Sequence, residues 1–274
     1  MGQKSELEFV GFPPPLLGDA PFRLAVLANS RDLLALAKPK GVAVREHPWN
    51  RETPDMDAAL NLQLKNGKPE LSRLGAELFG SVYYFEPEVT GVAIFAKNHS
   101  SLELLRNSFG SQEMTFRYLL VARFDEANAV DCQTVDTPLL KHRTKHKMIP
   151  STAKGKRART EFKLLKKSKL GWSLWEATTN YPRLHQIRAH SALISQPILG
   201  DTLYGDAQAP SLQQVLPKKL GRRGMFPLFQ GIALHLASVQ SKRLNHSISD
   251  GLISAPLDQS FKVLLGRLEI DFGG

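Results

Sequence analysis

Cysteine, long apolar runs and acidic side chains are all scarce in this sequence of 274 residues. Cys132 is the single cysteine, so neither an internal disulfide nor a cysteine-built zinc site can form. No apolar run approaches the roughly 20 residues of a membrane-spanning helix, which argues against an integral membrane protein and a membrane partner. The first residues lack the apolar stretch of a signal peptide. Together these absences predict a cytoplasmic protein.

The shortage of acidic residues leaves a strong positive charge. Lysine and arginine number 36 against 26 aspartate and glutamate residues, which gives a formal net charge of +10 and a pI near 9.7. Such a surplus favours polyanionic partners such as nucleic acid. A merely soluble basic protein is the alternative, and the distribution of the charges has to decide between the two.

The cations are concentrated in one part of the chain. Between Lys141 and Lys169, about a dozen Lys and Arg residues are opposed only by Glu161, a density suited to several phosphate contacts. Solvated charged loops are the alternative explanation of such runs. A second basic group spans Lys218–Arg223. The candidate nucleic-acid contacts are Lys141, Arg143, Lys145, Lys147, Lys154, Lys156, Arg157 and Arg159.

Two histidines in the basic segment have the spacing of a metal-binding pair. His142 and His146 would lie on one face if the segment were helical. Their cationic neighbours would repel a metal ion, and no glutamate stands between them as in a zinc-protease signature. We therefore expect no metal site.

The apolar patterns predict an α+β domain over residues 31–274, built on a largely antiparallel sheet and preceded by an irregular N-terminal arm, residues 1–30. Apolar runs predict strands at Leu33–Ala37, Gly91–Ala96, Tyr118–Ala122 and before Val239, and hairpin arms at Glu161–Leu165 and Trp172–Thr178. Helices are predicted from the Ser100/Glu103 capping box to near Gly110, at His185–Ile194, and at Phe261–Leu268 with Asp258 or Ser260 as the cap. Asp55 and Asp57 are predicted to cap a further helix.

Two adjoining motifs carry a resemblance to a known family. The first is Tyr181-Pro182-Arg183-Leu184-His185-Gln186-Ile187-Arg188-Ala189-His190, and the second is Pro197-Ile198-Leu199-Gly200-Asp201-Thr202-Leu203-Tyr204-Gly205. Together they resemble the Gly-Arg-Thr-His-Gln-Ile-Arg-x-His and Pro-Ile-x-Gly-Asp-x-x-Tyr-Gly signature of the RluA-type pseudouridine synthases. Further pieces of that pattern follow its order, over about residues 31–268: Lys38-Pro39-Lys40-Gly41, Glu88–Lys97, Arg117–Val121, Leu234-His235-Leu236 and Ala255-Pro256-Leu257.

The resemblance implies the pseudouridine synthase catalytic fold, a curved mixed and mainly antiparallel sheet with peripheral helices and a central cleft. It implies isomerisation of uridine to pseudouridine in structured RNA, either rRNA or tRNA, without a metal or a small-molecule cofactor. We expect the protein to be a monomer. Tyr118 matches the tyrosine that stacks on the target base, and Arg183 matches the basic partner of the nucleophilic carboxylate. Counting back from Gly91 places the nucleophile at Glu86. Arg188 joins the basic residues as a candidate RNA contact.

The nucleophile motif departs from the family pattern. Tyr83-Tyr84-Phe85-Glu86 stands where the family has His-Arg-Leu-Asp. Glu86 keeps the carboxylate but adds a methylene, and a displacement of roughly 1 Å can cost about 100-fold in rate. Tyr83 and Tyr84 then indicate a repacked turn that retracts the backbone, or they simply fill the space of the lost polar residues.

Three hypotheses therefore stand side by side. The first is an active synthase with an atypical nucleophile, and the second is a catalytically silent RNA-binding protein of the same fold. The third is a structural partner on the ribosome, with its cleft blocked by Tyr83 or Tyr84. Bland alternatives also exist for single residues: Tyr118 as a core aromatic, Arg183 as a phosphate contact, and Arg188 as a packing residue.

Overall fold

The computed structural model describes residues 8–124, 130–205, 209–215, 221–246 and 248–272, which fall into two compact units. Unit 1 comprises Met1–Thr115 and Ser238–Ala255, and unit 2 comprises Phe116–Ala237 and Pro256–Gly274. The strands are β1 Phe9–Phe12, β2 Phe22–Asn29, β3 Leu33–Lys38, β4 Gly80–Ser81, β5 Thr90–Ala96, β6 Met114–Arg123, β7 Cys132–Asp136, β8 Leu139–Lys141, β9 Met148–Pro150, β10 Arg159–Lys167, β11 Trp172–Thr179, β12 Leu234–Ser241 and β13 Leu252–Ser254. The α-helices are α1 Met56–Lys65, α2 Pro69–Ser72, α3 His99–Gly110, α4 Gln186–Leu193, α5 Leu212–Val215 and α6 Gln259–Arg267. No helix among these residues has the length and apolar character to cross a membrane.

The core of unit 1 is a pair of apolar strands. β3 and β5 run antiparallel from Leu33 opposite Ala96 to Lys38 opposite Gly91, and nearly every side chain along both is buried. Continuous burial, rather than alternation, is what a strand shows when both of its faces are covered. β2 and β1 continue the antiparallel order beyond β3, β4 pairs with β5, and the end of β12 pairs with β13.

The interpretation of residues 1–30 as irregular is wrong for two segments, because Phe9–Phe12 and Phe22–Asn29 are paired strands. The proline-rich residues between them form only the turn. In β2 the register against β3 shifts between Val26 and Ala28. A bulge of this kind inserts a residue and interrupts the two-residue period of a strand. The alternation that would have predicted β2 is therefore absent from the sequence.

In unit 2 the strands pair antiparallel in the order β6, β11, β10, β7. β11 pairs with β6 from Trp172 opposite Arg123 to Thr179 opposite Phe116. β10 and β11 form the predicted hairpin. β8 and β9 form a small separate hairpin, in which Leu139 pairs with Pro150 and Lys141 with Met148. The predicted strands and α+β class are thus confirmed.

Helix caps confirm two predictions and correct one. The Asp55 carboxylate accepts from the Ala58 N–H at 2.8 Å, and the Asp258 carboxylate accepts from the Phe261 N–H at 2.9 Å, as expected for N-caps. The predicted capping box at Ser100 is wrong. The cap lies two residues earlier, at Asn98, whose side chain accepts from the Ser101 N–H at 2.8 Å. Asparagine is as good a cap as serine, so residue type alone does not decide between the two positions.

Candidate active site and basic surface

Glu86, the predicted nucleophile, lies in the turn of unit 1 that joins β4 to β5. Its side chain is buried, with 6% of its surface exposed. The Glu86 carbonyl accepts from the Val89 N–H at 3.1 Å, which closes the turn. A carboxylate removed from water in this way needs compensating interactions, because burial disfavours the charged form. The position therefore combines a reactive group with a fixed backbone.

Lys38 fixes the backbone of this turn from the end of β3. The side chain is 2% exposed, and its ammonium donates to the carbonyls of Pro39, Val42 and Pro87 at 2.8, 2.7 and 3.1 Å. Three protons thus meet three acceptors. The Gly41 N–H also donates to the Pro87 carbonyl, at 2.8 Å. Since Pro87 follows Glu86 directly, these bonds hold the backbone immediately after the acid.

Burial perturbs both ionisable neighbours of Glu86. It lowers the pKa of Lys38 from 10.5 to about 7, against the opposing effect of Glu88 and then Glu86. It also raises the pKa of the Tyr84 hydroxyl, and Glu86 and Glu88 add to that rise. Tyr84 therefore stays protonated at neutral pH. These two groups and Glu86 form a buried cluster whose charges depend on one another.

The two tyrosines that replace polar residues of the family motif have different environments. Tyr83 is buried, donates its hydroxyl proton to the Val92 carbonyl at 2.6 Å, and packs against the rings of Phe85 and Phe109. It therefore fills space within unit 1. The Tyr84 hydroxyl is also shielded from solvent and makes no hydrogen bond to any residue that the structure describes. The guanidinium of Arg45 lies 6.0 Å from the centre of its ring.

A second anchor, which the sequence did not reveal, holds the strand that leads into the turn. The Asp57 carboxylate accepts from the Ser81 N–H at 2.9 Å and from the Ser81 hydroxyl at 2.7 Å. Arg106 donates twice to the Ser81 carbonyl, at 3.1 and 2.9 Å. Asp57 is also predicted to cap a helix, but the N-cap of α1 is Asp55. Residues 24 positions apart cannot be paired from sequence spacing.

Tyr118 and Arg183 both lie in unit 2. Tyr118 is a buried residue of β6, in register with Ala177 of β11. Arg183 follows β11; its Nε donates to the Arg157 carbonyl at 2.6 Å, and its guanidinium lies 4.8 Å from the centre of the Tyr181 ring. Glu86 belongs to unit 1, so its predicted ion pair with Arg183 stays a prediction.

The family motif at residues 181–190, which includes most of α4, is largely buried, and its side chains hydrogen-bond to neighbouring segments of unit 2. The Gln186 amide donates to the Arg159 carbonyl at 2.9 Å and to the Thr160 hydroxyl at 3.0 Å, while its oxygen accepts from the Arg183 N–H at 3.0 Å. His190 lies between the Thr160 hydroxyl and the Thr137 carbonyl, each at 2.9 Å. Burial lowers the pKa of His190, so this ring favours its neutral form. The motif ties α4 to β10 and to the peptide of Arg183.

Arg188 is not a surface cation, which corrects its predicted contact with RNA. The side chain is 4% exposed and donates to both carboxylate oxygens of Asp201, whose side chain is 1% exposed, at 2.7 and 2.9 Å. The same carboxylate accepts from the N–H groups of Leu203 and Tyr204. A bidentate pair with these extra bonds satisfies both buried charges. Arg188 therefore takes the packing role that the sequence left open.

Tyr204 connects the family motif to the β8–β9 hairpin. Its hydroxyl accepts from the Met148 N–H at 2.6 Å and lies 2.9 Å from Nδ1 of His185. The His185 side chain is buried, and its backbone is in the left-handed region with φ 54°. Both features fit the structural role predicted for it. The Lys147 ammonium lies 5.9 Å from the centre of the Tyr204 ring. The Tyr204 side chain thus anchors the β8–β9 hairpin.

The remaining predicted RNA contacts lie on the surface of unit 2. Lys147 is half-buried, and the exposed residues are Lys141, Arg143, Lys145, Lys154, Lys156, Arg157 and Arg159. Arg159 forms an ion pair with Glu161 at 3.0 Å, both well exposed. Nδ1 of His142 accepts from the N–H groups of Thr144 and Lys145, so this histidine shapes the hairpin loop. In the second basic group, 218–220 lie outside the described residues, and Arg222 is exposed.

Known proteins match the chain along most of its length. The family model described as RNA pseudouridylate synthase matches residues 32–193, more than half of the chain. Ribosomal large subunit pseudouridine synthase D of Haemophilus ducreyi is 29% identical over 255 residues, which is 91% of this chain and 72% of that protein. An uncharacterized RNA pseudouridine synthase of Helicobacter pylori is 30% identical over 201 residues, 70% of this chain and 59% of that protein. Among solved structures, human RNA pseudouridylate synthase domain containing 4 has the same fold, with a TM-score of 0.66 at 19% identity over 91% of this chain and 94% of that one. The family resemblance read from the motifs is thereby confirmed.

Proposed function

This chain belongs to the RNA pseudouridylate synthase family, and from that premise we propose that it isomerises uridine to pseudouridine in structured RNA, with Glu86 as the nucleophile. The observation that carries the proposal is the burial of the Glu86 carboxylate in a turn whose backbone Lys38 and Gly41 hold. Tyr118 stacks on the extruded base, and Arg183 keeps the carboxylate ionised and aimed.

The proposed chemistry uses only protein side chains. A base inside a duplex is out of reach, so the target uridine is extruded from the helix and held against an aromatic face. The Glu86 carboxylate adds covalently, either to C1′ of the ribose or to C6 of the base. The N1–C1′ bond breaks, the detached uracil rotates, and a C5–C1′ bond forms. The bond to Glu86 breaks again and frees the carboxylate, the C5 proton is lost, and N1 gains a proton. The reaction is an isomerisation, so atoms and electrons balance without an oxidant or a cofactor.

Unit 2 supports the choice of RNA as the partner through its exposed cations. These side chains are exposed or half-buried on the surface, where phosphates can reach them, and each phosphate contact releases counterions. Large-subunit ribosomal RNA is the first substrate to test, because the matching relatives of known specificity are named for it. Transfer RNA is the second. We expect the chain to act as a monomer.

The deciding experiment incubates the purified chain with ribosomal RNA and with transfer RNA, and then maps pseudouridine. Glu86→Ala and Glu86→Gln are expected to abolish every product of the wild type. Glu88→Gln is the matched control, because Glu88 is an exposed acid two residues away. Its product yield is expected to equal that of the wild type. Absence of any Glu86-dependent product on both RNA classes refutes the proposed catalysis.

The second candidate function is a catalytically silent RNA-binding protein. The observation that favours it is the set of exposed cations, which lie apart from Glu86 in the sequence and belong to unit 2. This function predicts an RNA affinity that falls with salt, survives Glu86→Ala, and drops on charge reversal of Lys156, Arg157 and Arg159. An unchanged affinity and salt slope in the charge-reversal variant would refute it. The blocked-cleft hypothesis loses support from Tyr83, which is committed to the core of unit 1.

A further inference from the structure

Met225 and Phe226 form an exposed apolar pair in unit 2. They are 79% and 63% exposed, the highest values among the large apolar side chains that the structure describes. Pro227 beside them is exposed as well. Single exposed apolar residues are ordinary on protein surfaces. A methionine and a phenylalanine presented side by side at this exposure lie on a surface that suits a partner with an apolar or aromatic face.

The backbone around this pair is anchored rather than loose. The Phe226 carbonyl accepts from the Leu212 N–H at 3.1 Å, and the Leu228 N–H donates to the Pro210 carbonyl at 2.7 Å. Leu228 is buried, and the ring of Phe229 meets the edge of Phe261 with centroids 6.1 Å apart. Because these bonds hold the backbone in place, the backbone that carries the pair loses little freedom when a partner binds.

The charged residues that flank the pair in the sequence are all basic. The sequence has no acidic residue between Asp206 and Asp250, whereas Lys218, Lys219, Arg222 and Arg223 lie just before Met225. The Arg222 side chain is exposed. A cation beside an aromatic face is the combination that proteins use to bind single-stranded nucleic acid, because every base has a stackable face and every nucleotide a phosphate.

We propose that Phe226, with Met225 beside it, is a stacking platform for an unpaired base of the RNA substrate, and that Arg222 contacts the adjacent phosphate. This inference rests on the proposed RNA-directed function and adds to it a requirement for unpaired nucleotides outside the target uridine. An anionic membrane would also meet apolar and basic side chains. Many amphipathic helices that lie in a membrane interface run to about 20–30 residues, whereas α5, which is hydrogen-bonded to this segment through Leu212, has four residues.

Binding of short labelled RNAs to the full chain tests the platform. Phe226→Ala is expected to weaken binding of a uridine-rich single strand by about 5- to 150-fold, which is the range measured for loss of one base–aromatic stack. Binding of a blunt duplex of equal length is expected to stay within about twofold of the wild type. Leu104→Ala is the matched control, because Leu104 is a 53% exposed apolar residue of unit 1. It is expected to leave both affinities unchanged.

Two further variants separate stacking from simple apolar contact. Phe226→Trp is expected to retain single-strand affinity, and its added indole fluorescence is expected to be quenched on binding. Phe226→Leu is expected to bind as weakly as Phe226→Ala. Wild-type affinity in Phe226→Leu or in Phe226→Ala overturns the proposal. The proposal is also overturned if Phe226→Ala keeps its RNA affinity and instead loses binding to anionic phospholipid vesicles. It is likewise overturned if Phe226→Ala keeps its RNA affinity and instead changes the oligomeric state of the protein.

The test distinguishes failure of this inference from failure of the proposed function. The Phe226 effect is measured as affinity, so it is expected to persist in a Glu86→Ala background that makes no pseudouridine. RNA binding without any Phe226 dependence overturns the platform alone. Absence of RNA binding by the wild type overturns both proposals.

Discussion

Lys38 gives a sharp prediction about how stability changes with pH. Burial lowers the pKa of its ammonium from 10.5 to about 7 in the folded chain, and unfolding returns the side chain to water. Between these two pH values the unfolded chain binds more protons than the folded chain. The free energy of unfolding therefore rises as pH increases through this window, and below about pH 7 the full cost of burying the charge is present.

The size of this rise follows from the two pKa values. At 1.36 kcal/mol per pKa unit, the interval from about 7 to 10.5 corresponds to about 5 kcal/mol over the whole window. Near pH 7 the unfolded side chain is fully protonated and the folded one about half protonated, so about 2 kcal/mol of the rise falls between pH 7 and pH 9. The side chain is 2% exposed, so solvent does not screen the effect.

Urea unfolding of the wild type and of Lys38→Met at several pH values from 6 to 9 measures this linkage. Methionine keeps an unbranched apolar chain but removes the charge, so the wild-type value minus the variant value isolates Lys38 from other titrating groups. Lys40→Met is the matched control, since Lys40 is an exposed lysine of the same turn. Its difference from the wild type is expected to stay nearly flat.

The expected result is a difference that grows by about 2 kcal/mol in favour of the wild type between pH 7 and pH 9. A flat difference would mean that the carbonyls of Pro39, Val42 and Pro87 keep the ammonium charged throughout. Burial would then not be the dominant influence, and the reasoning would be refuted. A difference that shrinks as pH rises would refute it more directly, because the sign would be reversed.

Three further predictions concern single contacts. Arg188→Ala leaves the buried Asp201 carboxylate without its partner, so the free energy of unfolding is expected to fall by about 3–5 kcal/mol in urea titration, and a loss below about 1 kcal/mol would contradict the ion-pair argument. Tyr83→Phe removes a buried hydrogen bond to the Val92 carbonyl and is expected to lower the free energy of unfolding by about 1 kcal/mol in urea titration. Tyr84→Phe removes a hydroxyl that makes no hydrogen bond to the described residues and is expected to leave that free energy unchanged. A larger loss in Tyr84→Phe than in Tyr83→Phe would contradict these environments. Asp258→Ala is expected to lower stability by about 1 kcal/mol through loss of the α6 cap, measured by thermal unfolding, with Ser260→Ala as a milder control; equal effects would argue against the cap.

Local patterns predicted the central strands and helices well because each pattern reports a local cause. The apolar runs at β3 and β5 are buried on both faces, and the hairpin of β10 and β11 follows from a short turn between two strand-forming segments. Of the two N-terminal strands, β2 was missed because a bulge interrupts its register against β3, and β1 has only four residues. The predicted cap of α3 is two residues too late because both Asn98 and Ser100 are residue types that cap helices.

The candidate site was predictable only where it depends on motif residues. The positions of Glu86, Tyr118 and Arg183 came from the family pattern, and no local rule would have selected them. The bonds that hold the Glu86 turn were not predictable, because they join Lys38 to a carbonyl 49 residues away. The assignment of Arg188 to RNA failed for a related reason. A cation in a basic sequence favours a surface position, and only the fold shows that Asp201, 13 residues later, is its partner.

The bonds that hold the backbone of the Glu86 turn determine what a substitution of Glu86 tests. The Pro87 carbonyl is held by the Lys38 ammonium and the Gly41 N–H, so the backbone of this turn is fixed by groups other than the Glu86 side chain. Glu86→Asp therefore withdraws the carboxylate by one methylene while the peptide stays in place. If reach is all that separates this chain from its relatives, pseudouridine formation rises in Glu86→Asp, and because a misplacement of roughly 1 Å costs about 100-fold, the rise is large enough to measure in single-turnover assays. If the longer side chain is instead the one that fits this pocket, the same variant loses activity while its RNA affinity is unchanged.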